Sequence, residues 1–91
     1  MLVLPARLTH DDAPACARML AQALRSDGQQ PAVADAGALQ DFDSSALAVL
    51  LDCRREALSL GKPFGVANMP PRLRELANVY GVGELLEHVP T

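Results

Sequence analysis

The sequence predicts an α/β sandwich, a small mixed sheet of about four strands with helices packed mainly on one face. Three observations carry that expectation. The apolar spacing switches between strand-like and helix-like along the chain, in the order strand, helix, strand, helix, strand, helix. Alternation of this kind joins parallel strand pairs by crossover helices. The chain has 91 residues, the size of a single domain spanning 1–91, and it is 49% hydrophobic against 21% charged, which is globular rather than disordered composition.

The elements follow in order. Leu2 to Thr9 alternates, with Leu2, Leu4, Ala6 and Leu8 on one face, and reads as a half-buried strand. Pro5 cannot donate to a ladder, so this strand belongs at an edge or carries a bulge at Pro5. Asp11 to Ser26 reads as a helix capped by Asp11 or Asp12, with Pro14 in its first turn and Asp27-Gly28 as its stop. Its core stripe is Ala13, Cys16, Ala17, Leu20 and Leu24. After a loop at Gln29 to Pro31, Ala32 to Ala36 is a buried strand ending near Asp35. Gly37 to Phe42 is a partly extended connection.

Asp43, Ser44 and Ser45 then open the strongest helix, which runs to Leu60 on a seam of Ala46, Leu50, Cys53, Ala57 and Leu60 and stops at Gly61. Lys62 to Met69 is the third strand. Pro70-Pro71 ends it and starts a last helix striped by Leu73, Leu76, Ala77 and Tyr80 up to Gly81. Val82 to Leu86 adds one turn with Leu85 and Leu86 folded back, and 87–91 form a loose tail.

Composition excludes several functions. The net charge is −3, a poor match for phosphate backbones, and aromatics make up 3%, too few for base-stacking platforms, so nucleic acid is not an expected partner. No apolar run approaches the roughly 20 residues of a membrane span, and Met1 to Pro5 carries no basic region ahead of its apolar stretch, so neither membrane insertion nor a signal peptide is expected. Cys16 and Cys53 lie far apart on apolar helical stripes and read as buried structural thiols of a cytoplasmic protein. His10 adjoins Asp11 and Asp12, but no further ligand has useful spacing, and His88 sits at the other end of the chain; no metal and no cofactor are expected. Gly81-Val82-Gly83 is too short for a phosphate loop and lacks the following lysine. Arg54-Arg55-Glu56 and Arg72, Arg74 and Glu75 read as solvated helix faces, with Arg72 and Arg74 also placed for a secondary interface. No enzyme is expected.

The informative stretch is Asp35 to Leu47, which sets an acid and two hydroxyls at a loop-to-helix junction. Helix N-termini carry free N–H groups and the positive end of the dipole. Serine there can cap the helix, carry a phosphate or hydrogen-bond a partner. Asp and Ser are the preferred capping residues, so local sequence by itself reads as a cap. The first half of this helix is apolar nearly all round, at Ala46, Leu47, Val49, Leu50 and Leu51. One buried face does not need that, so either its own domain surrounds it or part of the surplus faces a partner, with Val49 lying off the main seam.

The arrangement as a whole resembles the STAS domain family of sulfate-transporter domains and anti-sigma-factor antagonists. The strand ending in Asp35, the short connection and Asp43-Ser44-Ser45-Ala46-Leu47 at a helix start follow the family's signature, and Leu4-Pro5-Ala6-Arg7-Leu8-Thr9 is similar to its first strand, where Gly is more usual than Ala6. The resemblance covers essentially the whole chain and implies a STAS-like fold and a non-enzymatic interaction role. Within the family the chain looks most like the MlaB-type branch, on its short length, its Ala, Leu and Arg content and its compact first strand. That branch implies a cytoplasmic subunit, peripheral to the inner membrane, which binds and stabilises or activates the ATPase subunit of a phospholipid-transporting ABC complex serving outer-membrane lipid asymmetry. The partner-binding residues it implies are Asp43, Ser44, Ser45, Ala46, Leu47 and Val49, with Ser44 the hydroxyl at the contact. The antagonist branch implies instead an anti-sigma kinase as partner and phosphorylation at Ser45, or at Ser44; Ala46 stands where those antagonists carry Gly. STAS-like pockets also imply a third role, a sensor of nucleotides or lipids.

Overall fold

The first predicted strand is two short ones. In the computed structural model, which describes residues 2–26 and 32–86, β1 (Leu2–Val3) and β2 (Arg7–Leu8) stand on either side of Pro5. The alternation persists through both: Leu2, Leu4 and Leu8 are buried while Val3 and Arg7 are exposed. Ala6 departs from it and is exposed, because proline has no N–H for the ladder and the chain bends there. The Ala6 carbonyl accepts the N–H groups of Gln40 (2.8 Å) and Asp41 (3.0 Å), which begins a second sheet.

That second sheet pairs β2 with a further strand, β4 (Asp41–Phe42), which comes after β3 (Ala32–Asp35) in the chain. The main sheet has three strands in the order β1-β3-β5, where β5 is Phe64–Ala67. Leu2, Ala34 and Val66 lie in one row across it, all buried; Val3, Asp35 and Ala67 form the next row, on the other face, and Val3 is 60% exposed there. Where a mixed sheet of about four strands was expected, every pairing among the described residues is parallel and the strands divide between two sheets. The cause is connectivity: each return to the main sheet passes through a helix, which brings the chain back to the same end.

Those crossovers are α1 (Ala13–Ser26) and α2 (Ser45–Ser59). Both advance the chain in the same direction across β1-β3-β5, so right-handed crossovers place them on one face, where they pack on each other and on the sheet. From α1, Cys16, Leu20 and Leu24 are buried, as the stripe predicts. The helix begins two residues later than expected. Asp12 acts backwards, its Oδ2 accepting the N–H (3.1 Å) and the hydroxyl (2.9 Å) of Thr9, the reciprocal half of a capping box. The expected stop at Asp27-Gly28, the loop at 29–31 and the tail at 87–91 lie outside the described residues.

The ends of α2 and of α3 (Pro71–Val79) share one device. Gly61 and Gly81 have φ of +74° and +73°. After the first, Gly61 N–H donates to the Leu58 carbonyl and Lys62 N–H to that of Ala57; after the second, Gly81 donates to Asn78 and Val82 to Ala77. Both are Schellman stops, which use the left-handed conformation that glycine adopts at no steric cost. Leu60, expected in the α2 seam, is the residue before this stop and is 40% exposed. Tyr80 is 60% exposed for the same reason, since the helical stripe no longer holds once the helix has ended. A single 3-10 turn, Gly83–Leu86, returns Leu86 to the core; Leu85 faces outward instead.

Candidate functional site

Two acids organise the connection between β3 and α2. Asp35 ends β3, and its Oδ1 accepts the Gly37 N–H at 2.9 Å and the Asn68 side-chain amide at 3.1 Å. These bonds, that of Gly37 foremost, hold its carboxyl below the ordinary range. Asn68 meets it from the end of β5 with a left-handed backbone, φ +56°. The two strand ends are thereby tied beyond their last ladder bond.

Asp43 follows β4 and occupies both of its oxygens. Oδ1 accepts the Ser45 N–H at 2.8 Å and Oδ2 accepts the His10 N–H at 3.1 Å. The β2–β4 register, Leu8 opposite Phe42, brings His10 alongside. The Ser45 backbone bond is the main reason the Asp43 carboxyl sits below its usual range, with the Ser45 hydroxyl and His10 adding to it. Asp43 is therefore the side chain that caps α2. Ser44 takes helical angles (φ −61°, ψ −15°), makes no side-chain cap bond and is exposed; Ser45 is half-buried. The capping function expected of the Asp-Ser-Ser triplet falls to its acid, and the Ser44 hydroxyl is left outward.

Residues 1–87 match the family model described as the MlaB STAS domain. The chain belongs to the MlaB-type STAS domain family. No curated protein matches it. STAS domains are small regulatory or interaction domains and are generally non-catalytic, and the α/β architecture with its parallel sheet is consistent with a STAS-like fold.

In this STAS domain the expected binding residues separate into two groups. Asp43, Ser44 and Ser45 come together at the start of α2. Ala46, Leu47 and Val49 are 0%, 4% and 1% exposed and belong to the core, a correction to their expected place on a docking surface. The physical reason is that α2 is covered on several sides, by α1, by β5 and by the final turn. Its apolar surplus is internal packing. What α2 shows outward is Ala48, Asp52, Arg55, Leu58 and Ser59, with Ser44 exposed just ahead of it.

The structure adds neighbours that sequence reasoning did not join to this site. A shallow groove of about 500 Å³ runs between the start of α2 and α3, lined by Phe42, Asp43 and Ser44 and by Arg72, Leu76 and Val79, with Glu75 and Tyr80 completing it. The Arg72 guanidinium lies over the Phe42 ring, 5.0 Å from its centroid. Arg72 was readable as a secondary interface residue; its nearness to Ser44 was not, because it depends on how α3 docks.

Other chemistry is sparse. Among the described residues no three His, Cys, Asp or Glu side chains converge as metal ligands. Cys16 and Cys53 are buried free thiols. Burial, and next the neighbouring Cys16, push the Cys53 thiol up to about 12, far from thiolate chemistry. Among the described residues no helix is long and apolar enough to cross a membrane.

Proposed function

We propose that this domain binds, and thereby stabilises or activates, the cytoplasmic ATPase subunit of a phospholipid-transporting ABC complex, sitting at the inner membrane through that partner. The observation that carries the proposal is the Ser44 hydroxyl. It stands exposed at the first turn of α2, released from capping by Asp43, beside an open groove. Membership of the MlaB-type family supports the choice of partner. The docking surface is then Ser44 and its exposed surroundings, with Asp43 and Ser45 as its frame. Ala46, Leu47 and Val49 hold the frame from within.

The serine-phosphorylated antagonist reading is less favoured. Ser45 is half-buried and its N–H is bonded to the Asp43 carboxylate, so a phosphate there would meet a like charge at short range. The deciding experiment is a binding titration between the purified chain and the ATPase subunit of its own lipid-transport complex. Ser44→Arg is expected to weaken binding at least about tenfold while the melting temperature stays within a degree or so, because the residue is a solvent-facing contact. Unchanged affinity would remove Ser44 from the interface.

A further inference from the structure

We infer that the groove between the start of α2 and α3 receives an acidic, apolar-flanked segment of the partner ATPase, with Arg72 as its charge anchor; the inference rests on the partner proposed above.

The charged side chains that line the groove are Asp43, Arg72 and Glu75. Asp43 has both oxygens committed to the N–H groups of Ser45 and His10. Arg72 is stacked on Phe42 and forms no ion pair or hydrogen bond among the described residues. Phe42 is itself 9% exposed and fixed in the core, so the guanidinium rests on a rigid platform. Stacking uses the face of the guanidinium and leaves the N–H donors at its edge, the geometry that takes a carboxylate bidentately. A side chain already held in place also gives up less freedom when a partner arrives. The exposed Ser44 hydroxyl lines the same groove and can donate to that carboxylate.

The other end of the α3 side has the opposite character. Val79 is 79% exposed and Tyr80 is 60% exposed, the last residue of α3 and the one after it, at the lip of the groove. A segment that lays apolar side chains on them removes that surface from water. Glu75 lies one turn beyond Arg72 on α3 and Asp43 stands beside Ser44, so the incoming carboxylate is held at the free edge of the Arg72 guanidinium and kept off both acids.

The test titrates the full chain against the ATPase subunit and compares Arg72→Glu, Arg72→Gln and Val79→Asp with Ser44→Arg. Arg18→Glu, on the exposed face of α1, is the control for charge alone. Arg72→Glu and Val79→Asp are each expected to weaken binding at least about tenfold, with Arg18→Glu within about twofold. Arg72→Gln should also flatten the salt dependence of the affinity. If Ser44→Arg breaks the complex but the Arg72 and Val79 variants bind normally, the groove is empty of partner and this inference fails while the docking proposal stands. If the unmodified chain does not bind, both fall. A concentration-dependent dimer in sedimentation that Val79→Asp dissolves would assign the groove to a second copy of the chain and overturn the inference.

Discussion

Asp43 accepts the Ser45 N–H at 2.8 Å, and through this one bond an acid outside the helix takes the role that the first serine would otherwise fill. Its second oxygen reaches the His10 N–H, so the start of α2 is fastened to the turn that precedes α1. Asp43→Ala removes both bonds and should lower the melting temperature by several degrees. Asp43→Asn keeps an acceptor oxygen for Ser45 and should recover most of that loss. Thermal unfolding followed by circular dichroism distinguishes them; equal melting temperatures for the wild type and the alanine variant would deny Asp43 its capping role.

Acid should unfold this protein through three carboxylates. Asp12, Asp35 and Asp43 are all held below 3.8, chiefly by the backbone N–H groups of Thr9, Gly37 and Ser45 respectively. A depressed folded-state value means that the stabilisation is complete well above 3.8 and is lost as the pH falls through the lower folded values. Stability is therefore expected to be flat near neutrality and to decline below about pH 5. Replacing all three by Asn should flatten that acid limb. A wild-type melting temperature unchanged between neutral pH and pH 3 would contradict the assignment.

The two thiols should be silent in the folded protein. Both are buried, and burial raises both, Cys53 to about 12. A thiol-reactive chromogen at mild alkaline pH should modify neither within the time that it needs to modify both in denaturant. Rapid labelling of native protein would show that the α1–α2 interface opens.

The fold was legible wherever its signal is local. The stripes of α1 and α2 repeat over several turns, and Gly61 and Gly81 mark the stops of α2 and α3 in the sequence itself. Strands β2 and β4 were not legible as a separate sheet. Two residues cannot show alternation, and their pairing depends on the Ala6 carbonyl meeting residues far along the chain. The site divides in the same way. Asp35, Asp43 and Ser44 announce themselves at a strand end and a helix start. Arg72, Val79 and Tyr80 join them only through the docking of α3. Val49 misleads because helical periodicity locates one buried face and says nothing of a helix covered on several sides.

Gly61, like Gly81, should be costly to replace. Its φ is +74°, and a Cβ built there meets no atom within 4 Å, so any penalty on substitution is backbone strain rather than a clash. Gly61→Ala is expected to lower stability by about 1–2 kcal/mol, and Gly61→Asn by less, in urea unfolding. An alanine variant as stable as the parent would mean that the Schellman turn relaxes freely.

Val49 and Leu50 separate the two uses of α2. Both are buried, at 1% and 0% exposure, whereas Ser44 one turn earlier is open to solvent. Leu50→Ala should cost about 2–5 kcal/mol, a large part of the stability of a small domain, while leaving the affinity of the folded fraction for its partner near normal. Val49→Asp buries an unpaired charge and should prevent folding altogether. Ser44→Arg should do the reverse, sparing stability and removing binding. The measurement is a paired one, urea unfolding beside partner titration on the same preparations. A well-folded Val49→Asp that loses only binding would put that side of α2 at the interface and reverse the assignment of its apolar surplus to the core.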